Sequence, residues 1–348
     1  MKLIRKILFY LNIILVATTL LAFLSPYINP DSFWGLSFLG LVIPLLLLFN
    51  DMFILFWIVN NWKRVWLSVL CLFIGSNYIP LTVSFSAPKD VAEYDFSIGS
   101  YNLHNGYGNF NRGIFKYEEA ESAKFAAFIK KDLNVDILCA QESNNHTKSL
   151  ITGHYDYTHV PDHKGTAIFS KFPIVNNGHI DFGTKTNSCV WADILIQTDT
   201  VRVYSLHLQS NDISIEADIV AEEVEKNRKL NPVKVRSILS KYKKFVGIRA
   251  LQAQKVRKHM DQSPYPVLLA GDFNDPPVSY SHRVLSRGFQ DAFAMAGSGL
   301  GHTYAGRIPM LRIDNIIVQD FFRIDAYRTV YKKFSDHYPV ICKISLPE

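Results

Sequence analysis

Pro266-Val267-Leu268-Leu269-Ala270-Gly271-Asp272-Phe273-Asn274-Asp275-Pro276 is the stretch on which the reading of this chain turns. Val267 to Ala270 are continuously apolar, as in a buried strand, and Gly271 ends the run where the backbone turns away from a sheet. Asp272 and Asn274 therefore stand at the strand's carboxyl end. Residues two apart on an extended segment share a face, so a carboxylate and a carboxamide reach one small volume together. That is the equipment for holding and deprotonating a water. Asp, Asn, Gly and Pro are also the usual turn formers, so the assignment depends on what accompanies them.

Outward from this stretch the same arrangement recurs. Phe96 to Asn102 is strand-like and ends on Asn102. Asp136 to Gln141 delivers Glu142, a hard-oxygen ligand of the kind magnesium takes. Val201 to Leu208 carries His207, Arg312 to Val318 opens with Asp314, and Asp336-His337 precede a last strand that begins near Val340. Each group alone has an ordinary structural explanation, as a turn residue or a solvated strand end. Eight together, Asn102, Glu142, His207, Asp272, Asn274, Asp314, Asp336 and His337, predict two packed sheets with one polar rim. Glu118 to Lys131 reads as an amphipathic helix between strands. No repeat or low-complexity tract interrupts the roughly 260 residues after Ala87, a size that suits one domain.

The first third is different. Three apolar runs, about 7–24, 33–59 and 65–85, are expected to cross a bilayer, within a membrane region 1–87 that precedes a catalytic domain 88–348. Asn50-Asp51 and Pro44 interrupt the second run, and Trp34, Trp57, Trp62 and Trp66 are expected at span ends. Lys2, Arg5 and Lys6 at the start and Lys63-Arg64 between the later runs place these segments in the cytoplasm by the positive-inside rule, and three crossings put the domain outside.

Five cations against Asp31 and Asp51 place +3 of the formal +6 charge in the membrane region. The rest of the chain lacks the overwhelming basicity of a dedicated nucleic-acid binder. Its basic residues are concentrated: Lys226 to Lys258 holds twelve Lys and Arg and no acid, after an acidic run Asp212 to Glu225. Such a segment is a solvated helix face or a flap that meets phosphates or anionic lipid. Cys71, Cys139, Cys189 and Cys342 have no metal-site spacing and suggest no disulfide framework.

The ordered pieces SYN (Ser100–Asn102), QE (Gln141-Glu142), SLHL (Ser205–Leu208), GDFND (Gly271–Asp275), RID (Arg312–Asp314) and SDH (Ser335–His337) resemble the endonuclease/exonuclease/phosphatase superfamily. The resemblance covers the soluble domain and none of the membrane region. It implies an α/β fold, a four-layer sandwich of two mixed, mainly antiparallel sheets, and a metal-dependent phosphoesterase using Mg2+ or Mn2+. Glu142 would be the main metal carboxylate, with Asn102 and Asp336 near the metal. Asp272 would position or deprotonate the water, and Asn274 would hold a phosphate oxygen. Asp314 would orient His337, and His337 and His207 would steady the phosphoryl oxygens or protonate the leaving oxygen. Asn315 departs from the aromatic residue common after RID. The substrate expected is a phosphodiester, foremost a nucleic acid. A lipid or inositol-phosphate headgroup at the bilayer and a non-catalytic tethered binding module are the alternatives, and no protein partner is implied.

Overall fold

The computed structural model describes residues 2–347 apart from 87–90, 105–108, 112–113, 117, 163–164, 185–186, 211–230 and 307–309. The expected domain boundary, the acidic run and the first residues of the basic segment lie outside the described residues.

Two six-stranded sheets form the frame. One contains β2 (Phe96–Asn102), β5 (Ile137–Gln141), β6 (Tyr157–His159), β7 (Ala167–Ser170), β15 (Arg323–Thr329) and β16 (Val340–Ser345), ordered β15-β16-β2-β5-β7-β6. The other, ordered β12-β14-β11-β10-β9-β8, contains β8 (Ile174–Ile180), β9 (Ser188–Ile196), β10 (Asp199–His207), β11 (Val267–Asp272), β12 (Phe289–Asp291) and β14 (Asp314–Gln319). Only the neighbours β2·β5 and β10·β11 within these sheets run parallel. A hairpin of β3 (Asn109–Asn111) and β4 (Ile114–Lys116) stands apart, and β1 (Ser84–Phe85) pairs with β13 (Ser298–Gly299).

Alternation along the strands sorts the side chains into layers. Ile98, Cys139, Val203, Leu268, Ala270 and Ile316 face the space between the sheets. The residues between them along each strand pack outward. Leu138, Ala140 and Phe169 meet α6 (Glu119–Phe128) and α7 (Asn145–Thr152), while Tyr204, Leu206 and Leu269 meet α8 (Pro232–Met260). This gives helix, sheet, sheet and helix, the four layers expected. A one-residue slip would exchange the inner and outer sets and misfit both packed layers, so the register is fixed.

The amino-terminal part departs from the expected spans. The run 33–59 is not one helix: α2 (Pro30–Leu41) ends, and α3 (Ile43–Asn60) begins with Pro44 in its first turn. Proline in a helix interior costs a hydrogen bond and clashes, whereas the first turn accommodates it. α3 passes straight through Asn50-Asp51, since Asn50 donates to Thr19 Oγ1 and Leu46 O at 2.9 Å. With α1 (Lys2–Ala22), α3 is long and apolar enough to cross a membrane. The third run becomes a bent pair, Trp62–Ile74 and Ser76–Thr82 at 58°, including α4 (Val65–Ile74) and α5 (Ile79–Thr82). Asn12 joins three helices, donating to Ser68 Oγ at 2.8 Å and accepting from Trp57 Nε1 at 3.0 Å. Trp57 is therefore buried, and Trp34 packs beside Tyr242 and Val246 of α8, while Trp62 and Trp66 remain exposed.

Candidate active site

The inner faces of the strands end in polar groups. Continuing the two-residue alternation from Leu268 and Ala270 reaches Asp272, from Val201 and Val203 reaches His207, and from Phe96 and Ile98 reaches Asn102. The register then aligns them: His207 pairs with Asp272 across β10·β11, and Asp272 with Asp314 across β11·β14. The opposite sheet contributes Asn102 beside Gln141. One mouth of the inter-sheet core thus gathers the carboxyl ends of β2, β5, β10 and β11 with the start of β14.

Gly271 is required here by close approach. A Cβ at Gly271 would collide with Leu206 O and lie 2.7 Å from Leu206 N on the neighbouring parallel strand. Beyond it, Asn274 takes a left-handed φ of 51° and Glu142 one of 48°, conformations that cost non-glycine residues energy and that concentrate at functional sites. These turns swing Asn274 back over Asp272 and lift Glu142 out of its strand.

Asp272 is the hub. Its Oδ2 accepts from Asn102 Nδ2 at 2.9 Å and Asn274 Nδ2 at 3.2 Å, and its Oδ1 accepts from Asn274 N at 2.8 Å. His207 Nε2 lies 3.8 Å and His337 Nε2 3.9 Å from the same Oδ2. Burial raises the carboxyl above the ordinary carboxylate range, with Asp314 adding to the rise and the two imidazoles opposing it. His337 Nδ1 meets Asp314 Oδ2 at 2.8 Å. Burial alone would discharge this imidazole, but Asp314 and Asp272 outweigh it and bring His337 up to about 10. Tyr304 packs edge-on against the ring, and Thr303 Oγ1 accepts from Ile313 N and Asp314 N, which fixes the partner carboxylate.

Glu142 and Asp336 stand further out, with side chains 19% and 34% exposed. Glu142 Oε1 lies 3.5 Å from His207 Nε2, and Glu142 Oε2 and Asp336 Oδ1 lie 3.9 Å and 3.3 Å from His104 Nδ1. Both carboxylates flank the exposed His104 imidazole, and hard-oxygen donors of this kind suit a divalent cation. Asn102 turns its Nδ2 toward Glu142 at 3.3 Å as well as toward Asp272, and its Oδ1 accepts from His104 N. A second grouping, Asp272, Asp314 and His337, brings ligand-capable atoms within 4.8 Å of one another. In that grouping His337 Nδ1 is already committed to Asp314.

All eight residues singled out in the sequence lie at this mouth. The structure adds supports that the sequence did not announce. Ser335 Oγ donates to Asn102 O at 2.8 Å, and Gln141 Nε2 reaches Ser205 Oγ at 3.2 Å between the sheets. Asn187 Nδ2 donates to Leu208 O at 2.9 Å, beside His207. Ser335, Gln141 and Ser205 stood inside the quoted motifs, whereas Asn187 carries no signal of its own.

A two-sheet α/β sandwich with acids, amides and histidines at one mouth defines a phosphoesterase, a hydrolase of phosphoester bonds in a class whose members generally use divalent metals. The chain belongs to the Endonuclease/Exonuclease/phosphatase family, whose description matches residues 99–337. A separate domain family of unknown function matches residues 5–82. The Escherichia coli K12 protein YbhP, itself described as uncharacterized, is 22% identical over 292 residues that cover 74% of this chain and all of YbhP. A functionally unknown conserved protein of Enterococcus faecalis V583 shares the fold at TM-score 0.51 and 15% identity, covering 72% of this chain and 100% of its own. TDP2 of D. rerio, solved with a single-strand DNA product, does so at TM-score 0.51 and 16% identity over 72% and 98%.

Proposed function

We propose that this chain is a membrane-anchored, divalent-metal-dependent phosphodiesterase acting on nucleic acid. The observation that carries the chemistry is the buried line His207, Asp272, Asp314 with His337 charged against it, beside the accessible carboxylates Glu142 and Asp336. Asp272 accepts a proton from the attacking water as oxygen bonds to phosphorus. His337, a cation at neutral pH, donates from Nε2 to a phosphoryl oxygen. His207 donates a proton to the departing alkoxide as the ester P–O bond breaks. Asn274 and Asn102 hold the Asp272 carboxylate in place; Asn274 Nδ2 divides its two hydrogens between Asp272 Oδ2 and Leu208 O, at 3.2 and 3.0 Å, and would hold a phosphate oxygen by releasing one of them. Glu142 and Asp336 would hold Mg2+ or Mn2+, which supplies positive charge for the developing equatorial oxygens.

Support for a polyanionic substrate comes from α8, whose amino-terminal half carries Lys234, Arg236, Lys241, Lys243 and Lys244 without an acid. A specific observation favours a second reading, a phosphodiester headgroup in the bilayer. The catalytic mouth lies at the same end of the domain as the helices, because α5 reaches Arg312 and β1 pairs with β13. The test uses full-length protein in nanodiscs with Mg2+. Cleavage of DNA or RNA that weakens steeply with salt supports nuclease action. Turnover confined to vesicle lipid replaces it with the headgroup reading. Loss of all activity on chelation, restored by Mg2+ or Mn2+, is expected in either case, and chelator-resistant turnover would remove the metal from the scheme.

The same reading places the domain outside the cytoplasm. Arg64 donates to Arg5 O at 3.2 Å and lies 4.3 Å from the Phe9 ring centroid and 4.8 Å from that of Trp57. This gathers Lys2, Arg5, Lys6 and Arg64 at one end of the helices, away from the domain. Positive ends face the cytoplasm. A reporter active only outside the cytoplasm, fused after Glu348, is expected to be active, and a silent one would reverse the orientation.

A further inference from the structure

We infer that the amino-terminal helices are part of the catalytic apparatus, with Val278 and Gly40 as positioning residues that hold the loop carrying Asp272 and Asn274. The inference rests on the phosphodiesterase reading only for its kinetic consequence, not for the contact itself.

Loops ordinarily run over the surface. The segment after β11 does not: Phe273 and Asp275 to Ser279 are all buried, with Asn274 alone partly accessible. Phe273 enters the core beneath α8, and Asp275 makes a 2.6 Å ion pair with the buried Arg249 of that helix. Val278 goes elsewhere. It is 2% exposed and packs among Ala22, Phe23, Ile43, Leu47 and Cys71, the core of the amino-terminal helices. Its carbonyl presses on α2 so closely that a Cβ at Gly40 would lie 2.6 Å from Val278 O and collide with Ser25 Oγ. Pro276 and Pro277 have fixed φ angles, so the link from Val278 back to Asn274 is stiff.

A second latch holds the neighbouring catalytic strand. Arg312, two residues before Asp314, donates Nη2 to Leu81 O of α5 at 3.0 Å while gripping Asp291 and Asn315. A third joins the layers behind, where Tyr242 Oη of α8 donates to Ser37 O of α2 at 2.9 Å. Asp272 and Asp314 are cross-strand partners, so both carboxylates at the centre of the site are approached by chain that the helices hold. A simple tether would touch neither. Displacement of a reacting group by about 1 Å costs on the order of 10²-fold in rate, so slackening this grip lowers turnover while leaving the substrate-binding surface in place.

The test compares Gly40→Ala and Val278→Ala with Gly35→Ala in the full-length protein in nanodiscs. At Gly35, in the same helix, the atoms nearest to a Cβ belong to the exposed Phe33 ring, the first at 3.3 Å. Gly40→Ala and Val278→Ala are expected to lower kcat by about tenfold or more with KM within about threefold of wild type. Amide exchange over 273–279 is expected to quicken in both and to stay unchanged in Gly35→Ala. Wild-type kcat in both variants, or unchanged exchange over 273–279, overturns the inference. A melting curve identifies a variant that has lost its fold, in which case the milder Val278→Ala decides. If wild type hydrolyses none of the phosphodiesters, the functional reading fails, and the exchange comparison still supports or overturns the latch.

Discussion

Asp272→Asn is expected to lower kcat by about 10³-fold or more while the protein melts no lower than wild type. The two halves of this result have separate causes. An amide fills the same volume and keeps one oxygen to accept from Asn274 N, so the turn after Gly271 survives. Replacing a fully buried carboxylate removes the cost of keeping charge out of water, a cost already visible in the upward pressure on its pKa. The asparagine cannot, however, take a proton from water at neutral pH. It would also turn an amide toward Asn102 or His337, where the wild type offers an acceptor to both. kcat therefore falls much more than KM rises, the pattern of an interaction made in the transition state. Retention of more than about a tenth of wild-type kcat would show that Asp272 is not the base, and the role would pass to another group at the mouth, with Glu142 the first to examine.

Much of this site was legible because a two-residue period is legible. Once Val267 to Ala270 read as a strand, alternation put Asp272 on a definite face, and the same step worked for Asn102, His207 and Asp314. What the sequence could not supply was register between strands far apart in the chain. The alignment His207, Asp272, Asp314 depends on pairings across 65 and 42 residues, and nothing local encodes them. Asn187 was missed for the same reason: it works through Leu208 O, a backbone atom whose position depends on the sheet.

The amino-terminal region was misread where composition and packing diverge. Phe33 to Leu41 is uncharged, and on hydropathy alone it belongs with the span that follows. Gly40 instead lets α2 lie close against the catalytic domain, under Val278, and the Ser37 carbonyl accepts from Tyr242. Small residues permit such approach in any solvent, and hydropathy cannot distinguish a helix that faces lipid from one that faces protein. Pro44 was the useful signal, since it predicts a new helix start. Asn50, an interruption in the apolar run, is one of the polar contacts that hold α3 to α1, beside Trp57 with Asn12.

His337→Ala is the other large loss expected, about 10²–10³-fold in kcat, and its dependence on Asp314 is the sharper test. If Asp314 acts through the imidazole, Asp314→Asn costs less, about 10–10²-fold, and adds almost nothing in the double variant with His337→Ala. The pH profile separates this from a structural role. A histidine whose pKa is raised carries its charge at all pH values below that pKa, so activity that needs the cation is lost as pH rises through it. Wild type holds His337 at about 10, and removing the Asp314 charge withdraws the first contribution that opposes burial. The alkaline fall in kcat should therefore move to lower pH in Asp314→Asn, toward the ordinary histidine range, with the metal concentration kept saturating. Independent, additive losses with an unshifted alkaline limb would mean that Asp314 does not act through His337, and its carboxylate would then belong with the buried grouping of Asp272 and His337 as a cation ligand in its own right.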